Sequence, residues 1–105
     1  MSVLLEFAMF PTDKKDGDGA SESVSKIINM IKNSGVSYKL TAMGTILETE
    51  TLKEALDIVN KSYEVLEPFS KRVYSTINID IRKEKSNRLE QKIESIEKKI
   101  GRVNR

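Results

Sequence analysis

The sequence contains no cysteine and no histidine. Their absence removes thiol nucleophiles, Cys/His zinc sites, serine–histidine relays and the side chain that most often shuttles protons near neutral pH. Most enzyme templates thereby lose their central residue. An excess of one charge is missing as well: 18 Lys+Arg against 16 Asp+Glu leave +2, too balanced for a chain whose main task is to neutralise a polyphosphate backbone. No apolar run approaches the about 20 residues of a membrane span. The apolar stretch Met1 to Phe10 carries Glu6, lacks a basic leading segment and runs into Pro11 and a charged loop, so it reads as a strand and not as a signal peptide. A cytoplasmic location, with no membrane and no nucleic-acid partner, is the expectation.

What remains is a chain of 105 residues, 38% hydrophobic and 32% charged, which is enough for one domain with a single core. Val3 to Phe10 has large apolar residues on both parities and predicts a central strand buried on both faces. Val24, Ile27, Ile28 and Ile31 recur at helical spacing, with Ser21 as the cap and Gly35 as the stop. Val36 to Glu50 reads as a hairpin around Met43-Gly44, with Tyr38, Leu40 and Ala42 lining one side. Thr51-x-x-Glu54 is a capping box opening a second helix over Leu52, Ala55, Leu56, Val59, Tyr63 and Leu66, which Pro68 stops. Arg72 to Arg82 alternates, setting Val73, Ile77, Ile79 and Ile81 on one dry face. Ser86-Asn87 then caps a third helix with Leu89, Ile93, Ile96, Ile100 and Val103 along one narrow seam.

The order βαββαβ specifies an α+β sandwich of ferredoxin-like type, with an antiparallel sheet ordered 4-1-3-2 and two helices on one face. Residues 1–105 form a single domain, with a core over 1–83 and an oligomerisation helix over 86–103. The helix-free face carries Leu4, Glu6, Ala8 and Phe10 from the first strand, and Tyr74, Thr76, Asn78, Asp80 and Arg82 from the last. Lys39, Thr41, Met43, Ile46 and Glu48 of the hairpin complete it. A solvent-facing sheet seldom groups Leu4, Phe10 and Met43, so homo-oligomers are expected through this face or its edge, aided by the seam of the last helix. The competing reading folds that helix back on its own domain.

Glu6 is the residue most in need of a partner, because a strand carboxylate between Leu5 and Phe7 loses solvation. With Glu48 nearby, Thr41 and Thr45 as neutral donors or acceptors and Asn78 offering both, the set suits a small, partly cationic heteroaromatic compound. A plain ion-pair network of Glu6 and Glu48 with Lys39 and Arg82, of this or another subunit, fits equally. Nothing supplies a nucleophile or metal-ligand spacing, so catalysis and metal are not expected. The run Asp16-Gly-Asp18-Gly19 fails as a calcium loop, since Lys14 would take its first ligand position and Ser25 its last. Gly17, Gly19, Ser21 and Ser23 are only a weak phosphate signal. Residues 84–105 hold seven basic and four acidic side chains, which a solvated helix face explains. The paired sheet aromatics of an RNA reader are missing.

Glu6 with Pro11, Ser21-x-Ser23-Val24, Met43-Gly44-Thr45-x-x-Glu48 and Asp80-x-Arg82 together resemble the small thiamine-binding proteins of ferredoxin-like fold, over nearly the whole chain. The resemblance implies a homotetramer built as a dimer of dimers. It also implies binding of thiamine or its hydroxymethylpyrimidine moiety without catalysis and without a cofactor. Carried over, Glu6 and Glu48 are the acidic groups able to meet an aminopyrimidine or a thiazolium, and Thr41, Thr45 and Asn78 set its orientation. The charged loop Thr12 to Gly19 and the pair Thr49-Glu50 depart from the family pattern. The rival reading is a homo-oligomerisation module with no small ligand.

Overall fold

The computed structural model describes residues 1–13 and 19–104, without the side chains of residues 19–21. The elements are β1 (Ser2–Pro11), α1 (Gly19–Ser34), β2 (Ser37–Leu40), β3 (Thr45–Thr49), α2 (Leu52–Leu66), a short 3-10 turn (Glu67–Phe69), β4 (Val73–Arg82) and α3 (Arg88–Ile100). The sheet is fully antiparallel in the order β2-β3-β1-β4, the ferredoxin-like arrangement with one appended helix. Asp16 to Asp18, weighed above as an ion-binding loop, lie outside the described residues, as does the Ser21 side chain. Because α1 already begins at Gly19, Ser21 sits within its first turn and is not its N-cap.

Local chemistry sets the helix ends. Thr51 caps α2: its hydroxyl accepts from the Glu54 N–H at 3.2 Å and donates to the Glu54 carboxylate at 2.8 Å. Gly35 closes α1 at φ +81°, a conformation that favours glycine. The sheet register then decides which side chains meet. Val3, Leu5, Phe7 and Met9 of β1 are buried beneath α1 and α2, together with Leu47, Ile27, Ile31, Ala55, Ile58 and Leu66. The even side of β1 is different. Leu4 and Ala8 are half-buried and Glu6 and Phe10 exposed, so β1 is central in the sheet but fully buried on one face only.

The β4 strand departs further from its apolar pattern. Register pairs Ile81 with Val3, Ile79 with Leu5 and Ile77 with Phe7, which places this isoleucine row on the helix side. All three are nevertheless 42 to 44% exposed. The helices lie mainly over β1 and β3, and an edge strand extends beyond their cover. Alternation in sequence thus reported the correct face but not its burial.

The same distinction holds on α2, where Leu56 shares the apolar spacing yet is 42% exposed. Leu5→Ala should cost about 2–5 kcal/mol of unfolding free energy in urea titrations. Leu56→Ala should cost about 1 kcal/mol or less, because a large part of its surface already meets water. Equal losses would contradict this placement of the core.

Candidate ligand-binding site

Two regions gather the polar residues singled out by sequence, and they lie on opposite faces of the sheet. The first is a cleft on the helix side, between the β2–β3 turn, the second half of β1 and the start of α1. It encloses about 260 Å³ and is lined by Phe7, Ala8, Met9 and Phe10 of β1, Val24, Ile27 and Ile28 of α1, and Leu40 and Thr45 together with the turn residues Thr41 to Gly44. Register explains how Thr45 comes to be there: it pairs with Phe7 and Leu40, so its side chain points to the helices and is only 5% exposed. The surface of the cleft is mostly apolar, and its lining among the described residues holds no ionisable side chain.

The turn that forms its roof depends on Thr41 and Gly44. The Thr41 hydroxyl accepts from the N–H groups of Met43 at 3.2 Å and Gly44 at 3.1 Å and donates to the Gly44 carbonyl at 2.8 Å. The Thr41 N–H also reaches that carbonyl, at 2.8 Å. Thr41 and Met43 therefore belong to a turn at the cleft and not to the outer sheet face as the strand pattern suggested. Gly44 permits a close approach: a Cβ there would lie 2.9 Å from the Phe7 carbonyl oxygen. The hairpin can press against β1 only because that atom is missing.

The second region is the outer face. Glu6 stands on β1 directly opposite Ile46 of β3 and Asn78 of β4, and both polar side chains are exposed. Phe10 and Tyr74, also cross-strand neighbours, meet toward one end with ring centroids 5.8 Å apart and planes tilted by 44°. The α3 helix packs across the other end, against β1 and β3.

Glu48, expected beside Glu6, is committed to α3. Its carboxylate accepts from the N–H groups of Arg88 at 2.8 Å and Leu89 at 3.1 Å and from the Ser2 hydroxyl. This replaces the expected Ser86-Asn87 cap: Asn87 lies at φ +53° and makes no capping bond of its own. Arg88 completes the joint. Its guanidinium donates to the Ser2 hydroxyl at 3.0 Å, the Ser2 carbonyl at 2.8 Å, the Asp80 carboxylate at 2.8 Å and the Asp80 carbonyl at 2.7 Å. Within the chain, Lys39 meets Glu90 at 3.0 Å and Arg82 meets Glu84 at 2.7 Å in place of Glu6 and Glu48. The seam of α3 is accordingly divided: Leu89 is buried on its own sheet, whereas Ile100 is 74% exposed.

The structure thus brings Thr41 and Thr45 to the cleft, sets Glu6 beside Asn78 on the opposite face and assigns Glu48 to a helix cap. Sequence reasoning missed Ser2, Arg88 and the Phe7–Met9 segment. For the last, the available signal was length, since β1 has ten residues and β3 only five. Among the described residues no group of acidic side chains is placed to hold a metal ion, and no helix is long and apolar enough to cross a membrane.

Partial burial raises the Glu48 carboxyl, but the Ser2 hydroxyl, the Arg88 and Leu89 N–H groups and the Arg88 charge outweigh it and leave the net shift downward. A carboxyl lowered on folding stabilises above its unfolded pKa of about 4.3, and that contribution disappears as pH falls through the lower folded value. Protection of the α3 amides, taken relative to the unstructured-chain exchange rate at each pH, should therefore be full at neutral pH and fall below about pH 4, before the β1 core opens. Glu48→Gln should loosen α3 by about 1 kcal/mol at neutral pH. Unchanged α3 protection in that variant would refute the capping assignment.

Comparison with known proteins follows the same lines. Residues 5–97 match the family model described as thiamine-binding protein. A UPF0045 protein of Methanothermobacter thermautotrophicus is 38% identical over 81 residues, covering 76% of this chain and 82% of its own length. A UPF0045 protein of Mycobacterium bovis is 29% identical over 102 residues, covering 97% of this chain and 98% of its own. Among solved structures, a hypothetical protein of Methanocaldococcus jannaschii superposes with TM-score 0.77 at 33% identity, over 90% of this chain and 95% of that one. A Thermotoga maritima protein proposed to act in thiamine biosynthesis or salvage has the same fold, with TM-score 0.77 at 24% identity over 91% of this chain and 99% of that one. The helical spacing, the hairpin with its Met43-Gly44-Thr45 turn and the match across residues 5–97 converge: this chain belongs to the thiamine-binding protein family.

Proposed function

We propose that the protein binds a small heteroaromatic metabolite, thiamine or its hydroxymethylpyrimidine moiety, in the cleft between the hairpin and α1, without chemical turnover. The observation that carries this reading is that Val24 and Met43-Gly44-Thr45, far apart in sequence and all within the family-like motifs, line one apolar cavity of about 260 Å³. That size is near the lower bound for small-ligand pockets. An uncharged wall suits the neutral pyrimidine ring, whereas burying a thiazolium cation there without a counter-charge would be costly. The pyrimidine therefore enters and the thiazolium stays at the mouth. A role as a cytoplasmic binding protein, linked to the supply or sensing of such a ligand, accords with the family.

A second reading has its own observation. Glu6 and Asn78 form an exposed acceptor and donor pair on the outer face, where a ligand would be enclosed by two subunits. Calorimetry with thiamine separates the two. The cleft reading expects Thr45→Val to weaken binding about tenfold and Glu6→Gln to leave it unchanged; the opposite pattern favours the outer face. Absence of heat and of any thermal shift at millimolar thiamine would remove the ligand class and leave an oligomerisation module.

The protein is further proposed to act as a homotetramer, a dimer of dimers. Support comes from the free edge of β4 with its half-exposed row Ile77, Ile79 and Ile81, and from the exposed end of the α3 seam. Sedimentation should show an oligomer that Ile79→Lys reduces to smaller species. A wild-type monomer at micromolar concentration would overturn the proposal.

A further inference from the structure

The outer face of the sheet holds another concavity, on the side away from the cleft. It is a groove of about 470 Å³ between β4, the β4–α3 loop and one face of α3. Alternation puts Asp80 and Arg82 of β4 on this face, beside Leu4 of β1. From α3 come Arg88 and Lys92, one helical turn apart, and Lys85 of the loop joins them. Four cations thus line the groove against one carboxylate, Asp80, which the Arg88 guanidinium already holds at 2.8 Å. Even with Glu84, which meets Arg82 at 2.7 Å, two positive charges of the lining stay uncompensated.

This surplus is not the pattern of the other helices. Lys26 lies one turn after Glu22 and Lys53 one turn before Asp57, and each pair makes contact. Lys92 has Arg88 and Ile96 at the corresponding positions, and no hydrogen bond or ion pair of its own among the described residues. Like charges one turn apart destabilise a helix, so an anion between Arg88 and Lys92 relieves a cost that the chain otherwise carries. Donors are also left over. An arginine has five N–H groups; Glu84 engages Nε and Nη2 of Arg82, and the Nη1 pair has no partner among the described residues. The first N–H groups of α3 contribute nothing, since Glu48 accepts from them. The groove is a construction of side chains.

We infer that this groove binds a compact polyanion, a diphosphate group, which clamps α3 to β4. Two guanidinium forks and two ammonium groups, arriving from strand, loop and helix, offer more than one carboxylate can accept and suit the several oxygens and multiple charge of a diphosphate. A single-stranded nucleic acid would need aromatic platforms beside the charges. The lining has none, and the Phe10–Tyr74 pair lies toward the other end of the sheet. Among the described residues, Arg88 is the α3 side chain that hydrogen-bonds to β4, through Asp80. A bound diphosphate adds a second tie, from Lys92 across to Arg82. The groove and the cleft lie on opposite faces, so neither reading depends on the other.

The test is calorimetry of the full-length protein with inorganic pyrophosphate at an ionic strength of about 0.15 M, where diffuse surface attraction is largely screened. Pyrophosphate should bind with a dissociation constant of about 0.1 mM or lower. Lys85→Gln and Lys92→Gln, both at exposed positions, should each weaken it about tenfold. Lys98→Gln, on the same helix but outside the groove, should leave it unchanged. At about 1 mM, pyrophosphate should raise the exchange protection of the α3 amides about tenfold and leave those of α2 as they were. No binding by the wild type, equal weakening by all three lysine variants, or unaltered α3 protection would each overturn the proposal. So would tighter binding of a single-stranded oligonucleotide than of pyrophosphate, which would mark the groove as a track for a nucleic-acid backbone. Thiamine binding should be the same in all three variants, so these outcomes leave the cleft reading in place.

Discussion

A single mismatch of length governs the cleft half of this molecule. The first strand has ten residues and its hairpin partner β3 has five, so the antiparallel ladder ends midway along β1. Had β3 been longer, its continuation would have paired Met9 and filled the space below α1. Instead the chain turns at Thr41 to Gly44, the turn closes on the Thr41 hydroxyl, and the gap beyond it becomes a cavity. Gly44 sets how closely that roof approaches β1, because any side chain there would collide with the Phe7 carbonyl. Sheet topology, turn chemistry and cavity are thus one arrangement.

The other half of the molecule is organised by Glu48. It lies three positions after Thr45, on the same strand but the opposite face, and binds the first N–H groups of α3. A helix start leaves N–H groups without intrahelical partners, and a carboxylate there also complements the helix dipole. A residue of β3 therefore supplies the cap that the α3 sequence does not. The motif Met43-Gly44-Thr45-x-x-Glu48 consequently serves two faces: its first part walls the cleft and its last residue secures α3 across the sheet. Alternation along a strand allows one short segment to do both.

Much of this was legible in the residues. The order of elements, the strand order and the membership of the α1 and β1 core follow from periodicity and caps, because each is dictated by local spacing. Alternation on β4 gave the face correctly, yet Ile77, Ile79 and Ile81 remain half-exposed, since burial depends on how far two helices reach over an edge strand. The parity of Glu6, Ile46 and Asn78 was readable for the same local reason. The grouping of the polar residues was not. Thr45 and Glu48 are odd and even neighbours on one strand, so no single site can receive both directly. Lys39 and Arg82 found partners in Glu90 and Glu84, on or near the appended helix, whose docking position no local pattern specifies.

The account turns on which side of the sheet receives the ligand. The most direct measurement is a crystal structure of the protein soaked or grown with thiamine. We expect density for a planar ring under the Thr41 to Gly44 turn and beside Thr45, with the outer face around Glu6 and Asn78 free of ligand. Density on the outer face, with the cleft filled only by solvent or collapsed, would contradict it.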